Sequence, residues 1–461
     1  MGEKGTKHKN IFGGHQSILA ILLVLTIAAS IAGANISDSP IHVMIILKDQ
    51  HLSDAANYYD ERYSEIINTK INEARGIYSK IEPLGKEEKR TMGINEIRAH
   101  EARFLTENDK SKLSEIGNEL DRLNDEKRKN IINDIQSRSL PSQNSLIELI
   151  ENCGGTYTGS SYIINSVTAV VPSSCVNDLE NNDLIADVVE NRKMEVLMDV
   201  SAYAIKSDYW WNNSINGTGF EIAVTDNSST TDDLQGHGTH VSGSAVNRDS
   251  TYKGIAFGNS VINAKVCFKD TNGDGVCYEG DNRRGIDWAV GQGADIVSRS
   301  LTTCDLGSTD CDMARYLDAV VDDLDIHVVN AAGNSGTSGV SGIAYNAFSV
   351  AATNDQGTVG RGDDSVASYS SRGSTADGRI KPDITASGSS IMSTNNGWET
   401  GSDFVDKSGT SMSAPQVAGA VALVLDYKGI NWNPMAVRAL LYNTADSNGT
   451  FSSKTDYGFG Y

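Results

Sequence analysis

Gly409-Thr410-Ser411-Met412-Ser413-Ala414-Pro415 runs into the apolar stretch Val417-Ala418-Gly419-Ala420-Val421-Ala422-Leu423-Val424-Leu425. The second segment reads as a buried helix, and the first sets a serine hydroxyl among small residues at its start. A helix beginning there turns free N–H groups and the positive end of its dipole toward whatever lies beside Ser411. That environment suits a nucleophile whose reaction passes through an oxyanion. Upstream, Gly236-His237-Gly238-Thr239-His240-Val241-Ser242-Gly243 offers a histidine flanked by glycines at the start of another apolar helical segment. A neutral imidazole titrates near working pH and is the usual base for a serine hydroxyl. Further upstream, Phe220-Glu221-Ile222-Ala223-Val224-Thr225-Asp226 reads as a buried strand that ends in a carboxylate. In open α/β sheets the chemistry gathers at that end of the strands.

The order Asp226, His237, Ser411 is the order of the subtilisin triad, and the chain resembles the subtilases, the subtilisin-like serine proteases. Other segments carry the same resemblance: Ala331-Ala332-Gly333-Asn334-Ser335-Gly336, Ala264-Lys265-Val266 with Gly285-Ile286-Asp287-Trp288-Ala289, Ala294-Asp295-Ile296-Val297-Ser298-Arg299-Ser300-Leu301, and Ser370-Ser371-Arg372-Gly373 with Gly378-Arg379-Ile380-Lys381-Pro382-Asp383-Ile384. It extends from about Val200 to the end. The resemblance implies an α/β domain with a mainly parallel central sheet and helices on both faces. It implies a serine endopeptidase that hydrolyses peptide bonds through an acyl-enzyme on Ser411. His237 would act as base, Asp226 would orient it, and Asn334 would donate to the oxyanion. Ser300, Leu301, Thr302, Ala331 and Gly333 would line the substrate groove, where an extended substrate pairs with the strand near Ser300–Leu301.

Three features depart from the family pattern. The linker Asn227–Gly236 is short, although at about 3.3–3.6 Å per extended residue it still lets the two side chains meet. Thr302 replaces the family's usual glycine after Ser-Leu, and a β-branched residue narrows the pocket toward small side chains. Arg299 interrupts an apolar strand and reads either as the partner of a nearby acid or as a lesion. These features motivate an alternative, a catalytically impaired subtilase-fold binding protein. An esterase of another fold is disfavoured, because no Gly-x-Ser-x-Gly elbow precedes the serine helix.

Lys4, Lys7 and Lys9 precede an apolar run from Ile18 to Ala34 that ends in Ala32-Gly33-Ala34. This reads as a secretory signal peptide over 1–34. The run also lies at the lower limit of the roughly 17–25 residues that span a bilayer, so a retained membrane anchor is the alternative. Over 461 residues, 39 Lys and Arg face 60 Asp and Glu, a net charge of −21. Such a surface argues against nucleic acid and anionic membranes as partners. Six cysteines in an exported chain suggest disulfides, read here as the local pairs Cys153–Cys175, Cys267–Cys277 and Cys304–Cys311. Asn212, Asn216, Asn227 and Asn448 each open a glycosylation sequon.

Residues 35–199 do not look catalytic. Apolar runs at Ile41–Leu47, Tyr162–Ile164, Val167–Pro172 and Ile185–Glu190 read as strands, with short helices at Ser145–Glu151 and Val176–Glu180. The small α+β module resembles the inhibitory, chaperone-like propeptide of subtilases, which makes the own propeptide an expected partner alongside polypeptide substrates. Between its halves, at about 52–138, an insertion reads as a helical hairpin. Its seam would be Leu52, Ala55, Tyr59, Tyr63, Ile66, Lys70 and Ala74 against Leu113, Ile116, Leu120 and Leu123, broken at Glu82-Pro83-Leu84-Gly85. Self-cleavage is expected near Leu197-Met198-Asp199-Val200, which leaves 200–461 as the catalytic domain. The run Asp456–Tyr461 resembles the lead into a family member's last helix, so a truncated end is expected. No cofactor is expected for catalysis. Asp270, Asn272 and Asp274, with Asp281 closing, space oxygens as in a structural calcium loop, and a solvated acidic turn is the other reading.

Overall fold

The computed structural model describes residues 40–82, 100, 103–194, 210–211, 214–226, 233, 236–269, 275–358, 361–396, 403–429, 432–445 and 453–460. The signal segment, the cleavage region near 197–200 and the linker residues 227–232 fall outside them. The chain divides into two compact units, Met1–His51 with Arg138–Arg192 and Leu52–Ser137 with Lys193–Tyr461. Its first part runs through β1 (Pro40–Leu47), α1 (Leu52–Tyr78), α2 (Glu107–Asn152), β2 (Thr156–Ser161), β3 (Ser166–Pro172), α3 (Ser173–Glu180) and β4 (Ile185–Glu190).

In the first unit the strands form an antiparallel sheet in the order β2-β3-β1-β4. Val43, Ile45 and Leu47 alternate along β1, and Val167, Ala169 and Val171 along β3, so one face of each strand meets Leu146 and Ile150 of α2 and Leu179 of α3. The Cys153–Cys175 disulfide ties the end of α2 to α3. Two expectations are corrected here. Tyr162–Ile164 is the turn between β2 and β3 rather than a strand, with Asn165 held by Gln143 and Gln50. The strand before that turn is the polar Thr156–Ser161, which has no apolar run to announce it. The helix read at Ser145–Glu151 is the end of the 46-residue α2, which continues through Pro141.

The second unit begins with α1 and the first part of α2, which run antiparallel. Ile77 near the end of α1 packs on Ile116 and Leu120 early in α2, while Tyr63 meets Asn130 further along. The seam drifts from the stripe read in the sequence. Ile66 is 49% exposed, and Ile67 and Ile71 turn inward instead. A stripe stepped in threes and fours only approximates the 3.6-residue turn, so the face it marks is placed to within about a residue.

The body of this unit follows with β5 (Lys193–Met194), β6 (Ile222–Asp226), α4 (His237–Val246), β7 (Val261–Lys265), β8 (Cys267–Lys269), β9 (Gly275–Tyr278), α5 (Glu279–Gly291), β10 (Ile296–Arg299), α6 (Asp312–Leu324), β11 (His327–Ala331), β12 (Phe348–Asn354), β13 (Ser365–Val366), β14 (Ile384–Ser387), β15 (Ile391–Thr394), β16 (Phe404–Lys407), α7 (Thr410–Lys428), α8 (Pro434–Thr444) and α9 (Lys454–Tyr457). The central sheet runs β13-β12-β11-β10-β6-β7, with β14 also on β12. Every pairing is parallel except β12 with β13. β6, β10 and β11 are buried along their whole length, as strands of a covered parallel sheet are. α7 is buried from Thr410 to Gly419 and packs on β10, β11, β12 and β14 and on α4. Its apolar side chains join Phe220, Val224, Val329 and Phe348 in the main core. Two further disulfides, Cys267–Cys277 and Cys304–Cys311, are formed.

Candidate active site

The parallel strands place Asp226, Ser300 and Gly333 at one edge of the sheet, at or just beyond the C-terminal ends of β6, β10 and β11. Asp226 is fully buried, and His237, at the first residue of α4, is buried beside it. Nδ1 of His237 lies 2.7 and 2.8 Å from the two Asp226 oxygens. A carboxylate only accepts, so Nδ1 carries the proton and Nε2 is the basic nitrogen of the neutral ring.

Asp233 holds the start of α4. Its carboxylate accepts from the Gly236 and Thr239 backbone N–H groups at 3.0 and 2.8 Å and from the Thr239 hydroxyl at 2.6 Å. This satisfies orphan donors of the first turn and sets negative charge at the helix's positive end. Sequence analysis did not give Asp233 this role. An aspartate just ahead of a glycine and a helix start was the available signal.

Ser411 lies in the first turn of α7, fully buried. Pro415 has no N–H, so the carbonyl of Ser411 loses its usual partner four residues on. The Ser300 hydroxyl donates to that carbonyl instead, at 2.7 Å. In return the Ser411 hydroxyl donates to the Ser300 carbonyl at 3.2 Å. The Ser411 hydroxyl is thus bonded to Ser300 rather than to His237. α4 and α7, which carry the two residues, pack against each other.

Asn334 follows β11 by way of Gly333, whose φ of 111° suits glycine and where a Cβ would meet Ser371 Oγ at 2.9 Å. Oδ1 of Asn334 accepts from the Thr410 backbone N–H and hydroxyl, both at 3.0 Å. A backbone N–H can only donate, so the oxygen must face Thr410 and the Asn334 NH₂ points elsewhere, unpaired among the described residues. An amide donor is thereby fixed one residue from Ser411.

The expected groove residues divide. Ser300 and Gly333 flank Ser411 and Asn334. Thr302 is half-buried, and its carbonyl accepts from Arg299 at 2.6 Å. Leu301 and Ala331 are fully buried. Leu301 packs on Val266 and the Cys267–Cys277 bridge, and Ala331 sits in the main core.

Arg299 is also fully buried. It donates to Asn282 Oδ1, Leu301 O, Thr303 Oγ1, Asn330 Oδ1 and Thr302 O. Burial draws its guanidinium down to about 9, still ionised at neutral pH, with Glu279 opposing the shift and Arg283 adding to it. His240, one turn after His237, donates Nε2–H toward Ile391 O at 3.0 Å. Burial, then Lys407, pushes it down to about 3, so it stays neutral. Asp270, Asn272 and Asp274 lie outside the described residues. Asp281, in the first turn of α5, pairs with Arg284. Among the described residues no group of three or more His, Cys, Asp or Glu could hold a metal ion.

The model of the family described as "Subtilase family" matches residues 198–460. Serine protease AprX of Bacillus subtilis (strain 168) is 30% identical over 335 residues, 61% of this chain and 74% of that protein. Subtilisin E of the same organism is 30% identical over 344 residues, 69% of this chain and 85% of that protein. Thermitase of Thermoactinomyces vulgaris is 34% identical over 239 residues, 50% of this chain and 75% of that protein. The crystal structure of fervidolysin from Fervidobacterium pennivorans, described as a keratinolytic enzyme related to subtilisin, superposes with a TM-score of 0.56 at 20% identity. It covers 69% of this chain and 58% of that one, a likeness of fold.

Proposed function

This chain belongs to the subtilase family of serine endopeptidases, and we propose that it is exported as a zymogen whose Ser411 attacks the peptide carbonyl. The observation that carries the site assignment is the commitment of His237 Nδ1 to Asp226, which leaves Nε2 as base. In the reaction the Ser411 hydroxyl turns about χ1 from the Ser300 carbonyl to Nε2, a move between staggered rotamers. Catalytic hydrogen bonds of this kind often tighten only once substrate is bound. Oγ then bonds to the carbonyl carbon while its proton passes to Nε2, and Asp226 stabilises the imidazolium. The Asn334 NH₂ and the Ser411 N–H receive the oxyanion. Collapse expels the amine, which takes the proton from Nε2. Water then repeats the cycle on the acyl-enzyme and regenerates the serine. No cofactor enters these steps.

The domain assignment runs as a signal peptide over 1–34, a propeptide over 35–199 and a catalytic domain over 200–461. The backbone of Lys193–Met194 supports autoinhibition, because β5 pairs antiparallel with β9 just upstream of the family-matched region. A chain end held there as an added strand occupies a sheet edge that a peptide could use. Thr302 gives the pocket its preference for small side chains. A structural calcium ion at Asp270, Asn272 and Asp274 would show as a lower melting temperature in chelator. The direct test of the enzyme reading is labelling of the purified protein by a fluorophosphonate probe with Ser411→Ala as control. Equal labelling of both, or of neither, overturns it.

A further inference from the structure

The helices α1 and α2 up to Ser137 belong to the compact unit of the protease body, and two adjacent cations on α2 hold them there. Arg128, 5% exposed at its side chain, places Nη1 3.3 Å from Asp295 Oδ1 and 3.4 Å from the Ala294 carbonyl. Lys127, 11% exposed, places Nζ 3.1 Å from Asp325 Oδ2 and 2.9 Å from Asp60 of α1. Both body carboxylates have structural partners of their own. The other oxygen of Asp295 accepts the Glu221 N–H at 3.1 Å ahead of β6, and its carbonyl accepts the His327 N–H at the start of β11. Asp325 caps α6 in a left-handed conformation and also accepts from Asn433.

These contacts lie at the N-terminal edge of the central sheet. Glu221 and Asp295 precede β6 and β10, whereas Asp226 and Ser300 lie at their far ends. The helical arm therefore sits at the edge opposite Ser411. That edge also carries excess negative charge. Asp323 is pushed up to about 6 by burial and by Asp322, Asp60 and Asp325, and burial raises Asp295 and Glu221 as well. It is a surface that gains from a docked cation.

We propose that the helical arm Leu52–Ser137 is a second anchor, docked by Lys127 and Arg128 on the acidic edge opposite the groove, which keeps the cleaved propeptide on the mature protease. The proposal rests on the zymogen reading above. While the chain is intact the anchor adds little, because the two parts are joined. Once the link near 197–200 is cut, the anchor keeps the β5 strand at high effective concentration beside β9, a gain that commonly reaches 10²–10⁴-fold in overall affinity. Release, and so activity, then waits on the ion pairs at the far edge as well as on the groove.

The test uses the full chain, wild type and the double variant Lys127→Gln/Arg128→Gln, followed from synthesis. Self-cleavage is read by mass, retention of the fragment by size exclusion at low salt, and the lag between cleavage and activity by peptide hydrolysis. The expected result is cleavage as in the wild type, loss of co-elution and a lag at least tenfold shorter. Wild-type co-elution measured at rising sodium chloride needs no substitution and stands even if the double variant does not fold. Ionic anchoring makes retention fall as salt rises. Normal cleavage with an unchanged lag, or wild-type retention indifferent to salt, overturns the anchor alone. Full activity with no cleavage overturns the zymogen reading, and the anchor with it.

Discussion

Replacing Arg299 by methionine tests whether the buried guanidinium holds the groove strand or merely fills space. Nε and Nη2 donate to Asn282 Oδ1 and the Thr302 carbonyl, and the two N–H groups of Nη1 are shared among the Leu301 carbonyl, Thr303 Oγ1 and Asn330 Oδ1. At about 1.5–3 kcal/mol for a bond from a charged donor, the loss of these four N–H donors amounts to some 6–12 kcal/mol. Against this stands the relief of a buried charge. Displacement of the guanidinium from 12.5 to about 9 corresponds to about 5 kcal/mol. The expected net destabilisation is thus about 1–7 kcal/mol, its upper part large for a single substitution. Arg299→Lys keeps the charge but offers at most three donors, so at least two oxygens lose theirs, at about 1–3 kcal/mol each. Two of the five acceptors are the Leu301 and Thr302 carbonyls, next in the chain to Ser300. Loosening them is expected to raise KM more than it lowers kcat, because Asp226, His237 and Asn334 keep their own bonds. Urea denaturation of the Ser411→Ala background gives the stability without self-digestion, and peptide hydrolysis in the active background gives KM and kcat. A methionine variant within about 1 kcal/mol of its parent, with unchanged KM, refutes the reasoning.

Asn334→Ala is expected to lower kcat about 10²–10³-fold with KM nearly constant, since the amide acts on the oxyanion; steady-state kinetics on a peptide substrate decide it. Asp233→Ala removes the clamp on the first turn of α4 and is expected to cost about 1–2 kcal/mol in denaturation, with a fall in kcat as His237 shifts. His240 is fully buried and neutral, drawn from 6.5 to about 3, so unfolding below pH 6.5 takes up a proton that the folded state refuses. Its share of stability, about 5 kcal/mol at most, is present above pH 6.5 and lost as the pH falls toward 3; His240→Gln is expected to flatten that slope in denaturation measured from pH 7 to pH 4.

What could be read from the chain depended on whether a residue's role is written in its neighbours along the sequence. Asp226 ends an apolar run, His237 stands between glycines, and Ser411 opens a small-residue helix, so each carries its local context with it. The apolar runs of β1 and β3 announced two strands, whereas β2 is polar and its turn is apolar, which inverted the assignment. The seam of α1 and α2 was legible as a hairpin but misplaced at Ile66, because periodicity locates a face only to within a residue over several turns. Arg299 was opaque for a different reason. Its partners lie on α5, on β11 and in the turn after its own strand, and no spacing along the chain brings Asn282 and Asn330 together.

Pro415 shows how a local signal acquires a distant consequence. In the sequence it reads as a tolerated proline near a helix start. In the fold it removes the donor that would have occupied the Ser411 carbonyl, and Ser300 takes the place. A residue with an N–H at 415 would compete for that carbonyl through the ordinary helical bond. The reciprocal pair between Ser300 and Ser411 would then be weakened, although neither serine had changed. The link between the groove strand and the serine helix therefore depends on a donor that position 415 lacks. Since proline also fixes φ in the turn after Ser411, the same residue fixes the backbone there and leaves its carbonyl free for Ser300.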